Sequence, residues 1–471
     1  MVGIKSYAVY IPVVRLDRNI ISKAWGTRSI GGERSVANYD EDSLTMALEA
    51  ALGCMCEEDR QGIEGLFFAS TTSPYKEKSC SSIVATVADL SNEIWTSDFC
   101  NSLKSGTSAL RSALGTVKSG QRGNVLVTAA DCRLGTPRSV DEQTIGDGAS
   151  AVLVGDSDLV ATIEDVYSVS DEITDVWRTD EDTFVRSWED RWVLVNGYTK
   201  NMKAAISGVM KRQGLTPKDI AKAALYSPDA KSHLGLAKSL GFDVKTQLQD
   251  PMISTIGNIG AAQSLFLLAS ALDEASPGDK ILLAGYGDGC DAFILEVTDA
   301  IEGIKGKRGV KKALEEKLML SSYEKYLAFR QLVSLPEEFI KLFPSDSVIW
   351  RTKNWALRGH GSKCNKCGVV SFPIQRVCFN CQSRDEFDEV RLSDKKGKVF
   401  TYSLDNLAGG VEPPTVQTIV ESDEGGARIY CLMTDCDPKD VKVGMPVEMT
   451  FRRFHREGGF YNYFWKCRPV R

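Results

Sequence analysis

Two Cys-x2-Cys knuckles constrain this chain more tightly than anything else in it. Cys364 and Cys367 form the first, Cys378 and Cys381 the second, and ten residues separate them. Four thiolates at that spacing suit tetrahedral Zn²⁺ with no open position, so the metal is expected to be structural. Such a site staples a segment too small to bury its own core. It therefore predicts a zinc ribbon, set at 355–392. The short alternating runs that follow, GKVFTYSLD, PTVQTIVES, GARIYCLMTD, MPVEMTFRRF and FYNYFWKCRPV, predict a small five-stranded β-barrel over 393–471.

The first 300 residues read differently. Strand and helix patterns alternate, which predicts an α/β fold. Strands are expected at Gly3–Pro12, Ile63–Ser70, Asn124–Ala130, Ala149–Gly155, Val244–Gln249 and Lys280–Ala284. Helices are expected at Glu41–Met55, with Asp40 as N-cap, and at Tyr198–Arg212, Ser232–Leu240 and Asn258–Ala275. The sequences GDGASAVLVGD (146–156) and GDGCDAFILEV (287–297) each place a Gly-Asp-Gly turn before a small-then-aliphatic strand. This predicts two related halves, about 1–160 and 161–300. Residues 301–354 read as a linker with a docking helix.

Composition limits the function classes. A net charge of −6 argues against nucleic acid or an anionic membrane surface as the main partner. No stretch approaches the roughly 20 apolar residues of a membrane span. The first residues lack a signal-peptide pattern, and thirteen scattered cysteines fit reduced thiols, so a cytoplasmic location is expected.

The stretch DFCNSLKSGTSAL (98–110) runs from a β-rich segment through a tight turn into a small-residue helix. Turns of this kind expose a side chain at a helix N-terminus, where the dipole favours an anion. Together with GIKSYAVYIP at the start, the GDGA strand, PDAK (228–231) and GNIGAAQSLFLLASAL (257–272), it resembles the 3-hydroxy-3-methylglutaryl-CoA (HMG-CoA) synthase branch of the thiolase superfamily. In the tail, GSKCNKCGVVSFP and WKCRP resemble zinc-ribbon/OB-fold proteins that accompany such enzymes. The resemblance implies a duplicated, five-layered αβαβα thiolase-like domain, a rubredoxin-like zinc ribbon and an OB-fold barrel. It further implies a CoA thioester as substrate, a homodimer through the thiolase-like domain, and a partner thiolase or other acyl-CoA enzyme.

The family forms carbon–carbon bonds with a cysteine, a histidine and a glutamate. Aligned on the Lys-x-Gly-Thr turn, the cysteine position holds Leu103, which cannot be acylated. Cys100, three residues upstream, is a nucleophile candidate or a small apolar residue. The histidine position holds Tyr226. His233 is either catalytic or a helix-cap or core-edge residue. The loop STTSPYKEKS places Glu77 as acid/base candidate or as a solvated charge. Asn258 matches the asparagine that hydrogen-bonds the thioester oxygen, or caps a helix. Leu103, Ser105, Gly106, Lys231 and Gly257 are the expected thioester and CoA contacts. These replacements imply acid/base chemistry on a CoA thioester without an acyl-cysteine, or alternatively a non-catalytic CoA-binding subunit or scaffold.

Overall fold

A computed structural model describes residues 1–56, 59–121, 123–304, 309–335, 345–407 and 411–470. They form two compact units. The first comprises 1–37, 42–85 and 90–323; the second comprises 38–41, 86–89 and 324–471.

The first unit is built on one nine-stranded sheet. Its strands are β1 (Gly3–Tyr10), β2 (Ile63–Ser70), β3 (Trp95–Cys100), β4 (Asn124–Asp131), β5 (Gly148–Gly155), β6 (Ala161–Ser170), β7 (Lys222–Leu225), β8 (Lys280–Tyr286) and β9 (Gly289–Val297). Their order is β7-β8-β9-β6-β1-β5-β4-β2-β3. β2 is parallel to both β3 and β4, and β7 is parallel to β8. The strands flanking the centre are antiparallel. Among the described residues β3 pairs only with β2 and forms one edge of the sheet.

Burial explains the layering. β2 and β5 are near-continuous apolar runs because both their faces are covered. Helices α1 (Ser43–Cys54), α2 (Ser105–Lys118), α3 (Lys200–Gln213), α4 (Ala230–Leu240) and α5 (Gln263–Glu274) cover them. α2 and α5 meet each other and pack against strands of both halves, forming a central layer. Residues 263–272 are all buried, as an all-round apolar helix requires. α1 covers β1, β4 and β5, while α3 and α4 share a second core with β7–β9. Five layers result, as expected.

Several local expectations shift. α1 is capped by Asp42, not Asp40: its carboxylate takes the Thr45 N–H while Thr45 caps in return. The run 244–249 forms no strand beyond a single bridge from Leu248 to Ala223. The 258–275 helix starts late, because Gly257 (φ +84°) and Gly260 (φ +62°) hold a turn before it. Residues 301–323 carry two short helices and a strand, Leu318–Met319, that pairs with Val14–Arg15. Ile301, Val310 and Leu320 are buried there.

The second unit contains the ribbon and the barrel. The ribbon is a three-stranded sheet of 370–371, 360–364 and 387–391. The barrel is closed, with β10 (Lys396–Asp405), β11 (Thr415–Ser422), β12 (Arg428–Met433), β13 (Pro446–Glu457) and β14 (Phe460–Pro469) in the order β10-β11-β12-β14-β13. Val399, Val420, Met433, Val447 and Cys467 fill its core. A buried ion network belongs to this unit. Arg452 is fully buried and pairs with Glu41, with Asp435 at 2.5 Å and with Asp40 at 3.5 Å. Lys466 reaches Asp40 at 2.8 Å.

Candidate active site

In open α/β sheets, ligands bind outside the carboxyl ends of the strands. Here β2, β4 and β7 end near one another, beside the turn that follows β3. Asp131, at the end of β4, is fully buried. Its carboxylate accepts from Ser70 Oγ (3.0 Å), Thr71 N (2.7 Å), Thr71 Oγ1 (2.9 Å), Thr72 Oγ1 (3.1 Å) and Ala261 N (2.8 Å). It thereby ties the loop after β2 to the turn before α5. A side chain at Gly260 would place its Cβ 2.1 Å from Asp131 Oδ2, so glycine is required there.

Tyr226, one residue past β7, is 3% exposed. Its hydroxyl receives Asn258 Nδ2–H at 3.1 Å. The same amide group donates to the Ser227 carbonyl at 3.2 Å. Asn258 Oδ1 accepts from Gly260 N at 2.9 Å and from Arg133 Nη2 at 2.8 Å. Asn258 thus caps the turn and touches the phenol at once. Burial raises the Tyr226 pKa, while Arg133 and Asn258 pull it back only in part. At neutral pH the phenol is a proton donor. Tyr286 lies alongside, its ring centre 6.2 Å away, and donates its hydroxyl hydrogen to Asp175. Burial raises the Asp175 pKa.

Leu103 stands in the turn before α2, half-buried against the cluster that includes Tyr226 and Tyr286. Gly287 makes this packing possible: a Cβ there would lie 2.7 Å from Lys104 N and 3.0 Å from Leu103 N. Lys104, the N-cap of α2, makes no side-chain capping bond. Ser105 Oγ, buried just inside that terminus, has no partner among the described residues. Gly106 lies against the Ala261 carbonyl, and Gly257 against residues 144–146.

Among the described residues, the other candidates make no hydrogen bond to the Tyr226 hydroxyl. Glu77 and Lys231 are exposed. Cys100 is an exposed residue at the end of β3, 3.6 Å from Ser73 Oγ, and partial desolvation of its thiol raises its pKa. His233 is buried on α4, where burial lowers its pKa to about 4. It lines a groove of about 590 Å³ with Arg18, Ile30, Asp229 and Leu248. Arg133, Asp131, Asp175 and Tyr286 were not among the sequence candidates. For the first two the signal was present: a charged pair, Asp-Cys-Arg, directly after the apolar run VLVTAA.

In the ribbon, the four cysteine sulfurs lie within 4.8 Å of one another. Sγ of Cys364 and Cys381 are 3.6 Å apart, and those of Cys367 and Cys378 3.5 Å apart. Zinc–thiolate bonds of about 2.3 Å imply sulfur separations of about 3.8 Å, so the set fits the ion. The Ser383 hydroxyl pushes the Cys364 thiol down to about 6, toward the ligating form.

Family models match the tail: the rubredoxin-like zinc ribbon domain of ChsH2 over 361–388, and the C-terminal OB-fold domain of ChsH2 over 389–452. The hydroxymethylglutaryl-CoA synthase of Caldivirga maquilingensis is 31% identical over 346 residues, covering 71% of this chain and 99% of that protein. That of Methanopyrus kandleri is 31% identical over 341 residues, covering 70% and 97%. A crystal structure of HMG-CoA synthase complexed with CoA superposes with a TM-score of 0.63 at 21% identity, over 72% of this chain and 92% of that one. No helix among the described residues is long and apolar enough to cross a membrane. The two relatives at 31% identity, matched over 97–99% of their own length, show that the chain belongs to the hydroxymethylglutaryl-CoA synthase family, and it carries a ChsH2-type zinc ribbon and OB-fold domain in its tail.

Proposed function

We propose that this chain makes or breaks a carbon–carbon bond next to the carbonyl of a CoA thioester, without an acyl-cysteine. The observation that carries this reading is the buried Tyr226–Asn258 contact beside Leu103. Leu103 has no nucleophile to offer, so the chemistry falls to proton transfer and oxyanion stabilisation. Tyr226, held protonated by burial, delivers or returns a proton at the reacting carbon or oxygen. Asn258 orients the phenol through its Nδ2–H bond to the Tyr226 hydroxyl, and N–H groups in the first turn of α2 stabilise the enolate oxygen. The proton-abstracting base is Glu77 or His233, reaching the substrate in the ligated enzyme. Ser105, Gly106 and Gly257 line the thioester, and Lys231 contributes to CoA binding.

Leu103 specifically favours one further reading, a CoA-binding subunit that supports an active partner such as a thiolase. Deuterium wash-in at the α-carbon of short acyl-CoAs separates the two. Exchange that is lost in Tyr226→Phe and Asn258→Ala supports the enzyme. Tight CoA binding with no exchange supports the subunit. Acetylation of Cys100 by acetyl-CoA would overturn both. The remaining assignments belong to the same proposal. The protein works in the cytoplasm as a homodimer, supported by the position of β3 at the edge of the sheet. Zn²⁺ on Cys364, Cys367, Cys378 and Cys381 is structural.

A further inference from the structure

Residues Val193–Thr199 wind as a π-helix and run directly into α3. Such turns are rare and collect at functional sites. Of the seven residues, Gly197 and Tyr198 are the two that are buried. A Cβ on Gly197 would lie 2.4 Å from the Tyr286 hydroxyl oxygen, so glycine lets the turn press against that residue. The Tyr198 ring meets the Tyr286 ring edge-on, with centres 5.5 Å apart. Tyr198 is 1% exposed, and its hydroxyl donates to the Tyr226 carbonyl at 2.9 Å. A buried phenol takes some acceptor; this one takes the main chain of the proton donor itself.

The bond matters because Tyr226 lies past the end of β7. Its N–H still donates to the Ala284 carbonyl of β8, at 2.9 Å. Its carbonyl is beyond the strand pairing, and a buried carbonyl without a donor is costly. Tyr198 supplies that donor, and Asn258 donates to the next carbonyl, that of Ser227, at 3.2 Å. With both main-chain groups of Tyr226 held, the peptide that aims its phenol is fixed. We propose that Tyr198 is a positioning residue: by holding the Tyr226 carbonyl it sets the place of the phenol relative to a bound thioester. The proposal rests on the acid role of Tyr226 given above. Tyr198 itself touches no substrate and transfers no proton.

The test is Tyr198→Phe in the full-length protein, which removes one hydroxyl and keeps the ring. Deuterium wash-in at the α-carbon of acetyl-CoA should fall about 10- to 100-fold in kcat, the scale of a misplacement of roughly 1 Å, with KM unchanged. Added to Tyr226→Phe, the same change should alter residual exchange by less than about 2-fold, because no phenol remains to be positioned. An undiminished kcat overturns the proposal. So does an equal fall in both backgrounds, or a change in KM alone, which marks a general disturbance of the site. A second readout needs no turnover. In protein isotope-labelled at the tyrosine Cζ, the Tyr226 magnetic-resonance signal is identified by its absence in Tyr226→Phe. It should move in Tyr198→Phe at neutral pH. A signal that stays in place overturns the proposal, whether or not the parent exchanges. A moved signal in a protein that shows no exchange sinks the catalytic reading and leaves Tyr198 as the residue that holds the phenol.

Discussion

Replacing Tyr226 by phenylalanine removes one oxygen and separates stability from chemistry. The lost bond is the 3.1 Å contact from Asn258 Nδ2. That amide keeps its 3.2 Å bond to the Ser227 carbonyl, and Oδ1 keeps Arg133 and Gly260. One of the two Nδ2 hydrogens loses its acceptor in a buried site, so the expected cost is about 1–3 kcal/mol, a fall of about 2–10 °C in melting temperature for a unit this large. Losing the proton donor should slow α-carbon exchange by about 100- to 10,000-fold, about 3 to 5 kcal/mol of barrier. Burial raises the phenol pKa above its ordinary value near 10. The protonated form therefore persists across neutral pH, and parent exchange should decline only on the alkaline side of that value. Mass spectrometry of deuterium wash-in, paired with thermal melts, reads both effects. Undiminished exchange in a variant of near-parental stability would refute the acid role of Tyr226.

Other expected outcomes follow from single contacts. Chelating zinc should unfold residues 360–391 and remove an apparent stabilisation of about 10 kcal/mol or more; hydrogen exchange should report lost protection there and retained protection in β1–β9. His233, lowered to about 4 against an ordinary 6.5, refuses a proton that the unfolded chain accepts. Its contribution is full above the ordinary value and lost as pH falls toward 4, about 3 kcal/mol in all. His233→Gln should flatten that slope in urea midpoints taken above and below the window. Gly260→Ala places a Cβ 2.1 Å from Asp131 Oδ2 at a positive φ and should cost at least about 2 kcal/mol. Gly115→Ala, inside α2 with nothing within 4 Å, should instead stabilise by about 0.5–1 kcal/mol. Calorimetric melts of the two glycine variants compare them directly.

The legible parts of the fold were those where pattern and burial agree. The runs IEGLFFAS and GASAVLVG could only be strands covered on both faces, and both are. The four cysteines stand together because metal spacing is a local property. The helix expected from Asn258 was drawn too long because periodicity cannot sense the positive φ of Gly257 and Gly260. Asp40 looked like an N-cap, since a cap is judged from its neighbours in sequence. Its actual partners, Lys466 and Arg452, lie over 400 residues away and leave no local trace.

The Asp40 pairings bear on how the chain is made. Asp40 precedes Lys466 by 426 residues and Arg452 by 412. At about 5–20 residues per second, some 20 to 85 seconds pass between their syntheses. For that interval Asp40 and Glu41 remain hydrated or held by other factors, because a buried carboxylate without its cation is expensive. The second unit cannot be completed while its C-terminal strands are still in the ribosome. A chain that terminates early, before β13, leaves an acidic segment near its beginning without its counterions.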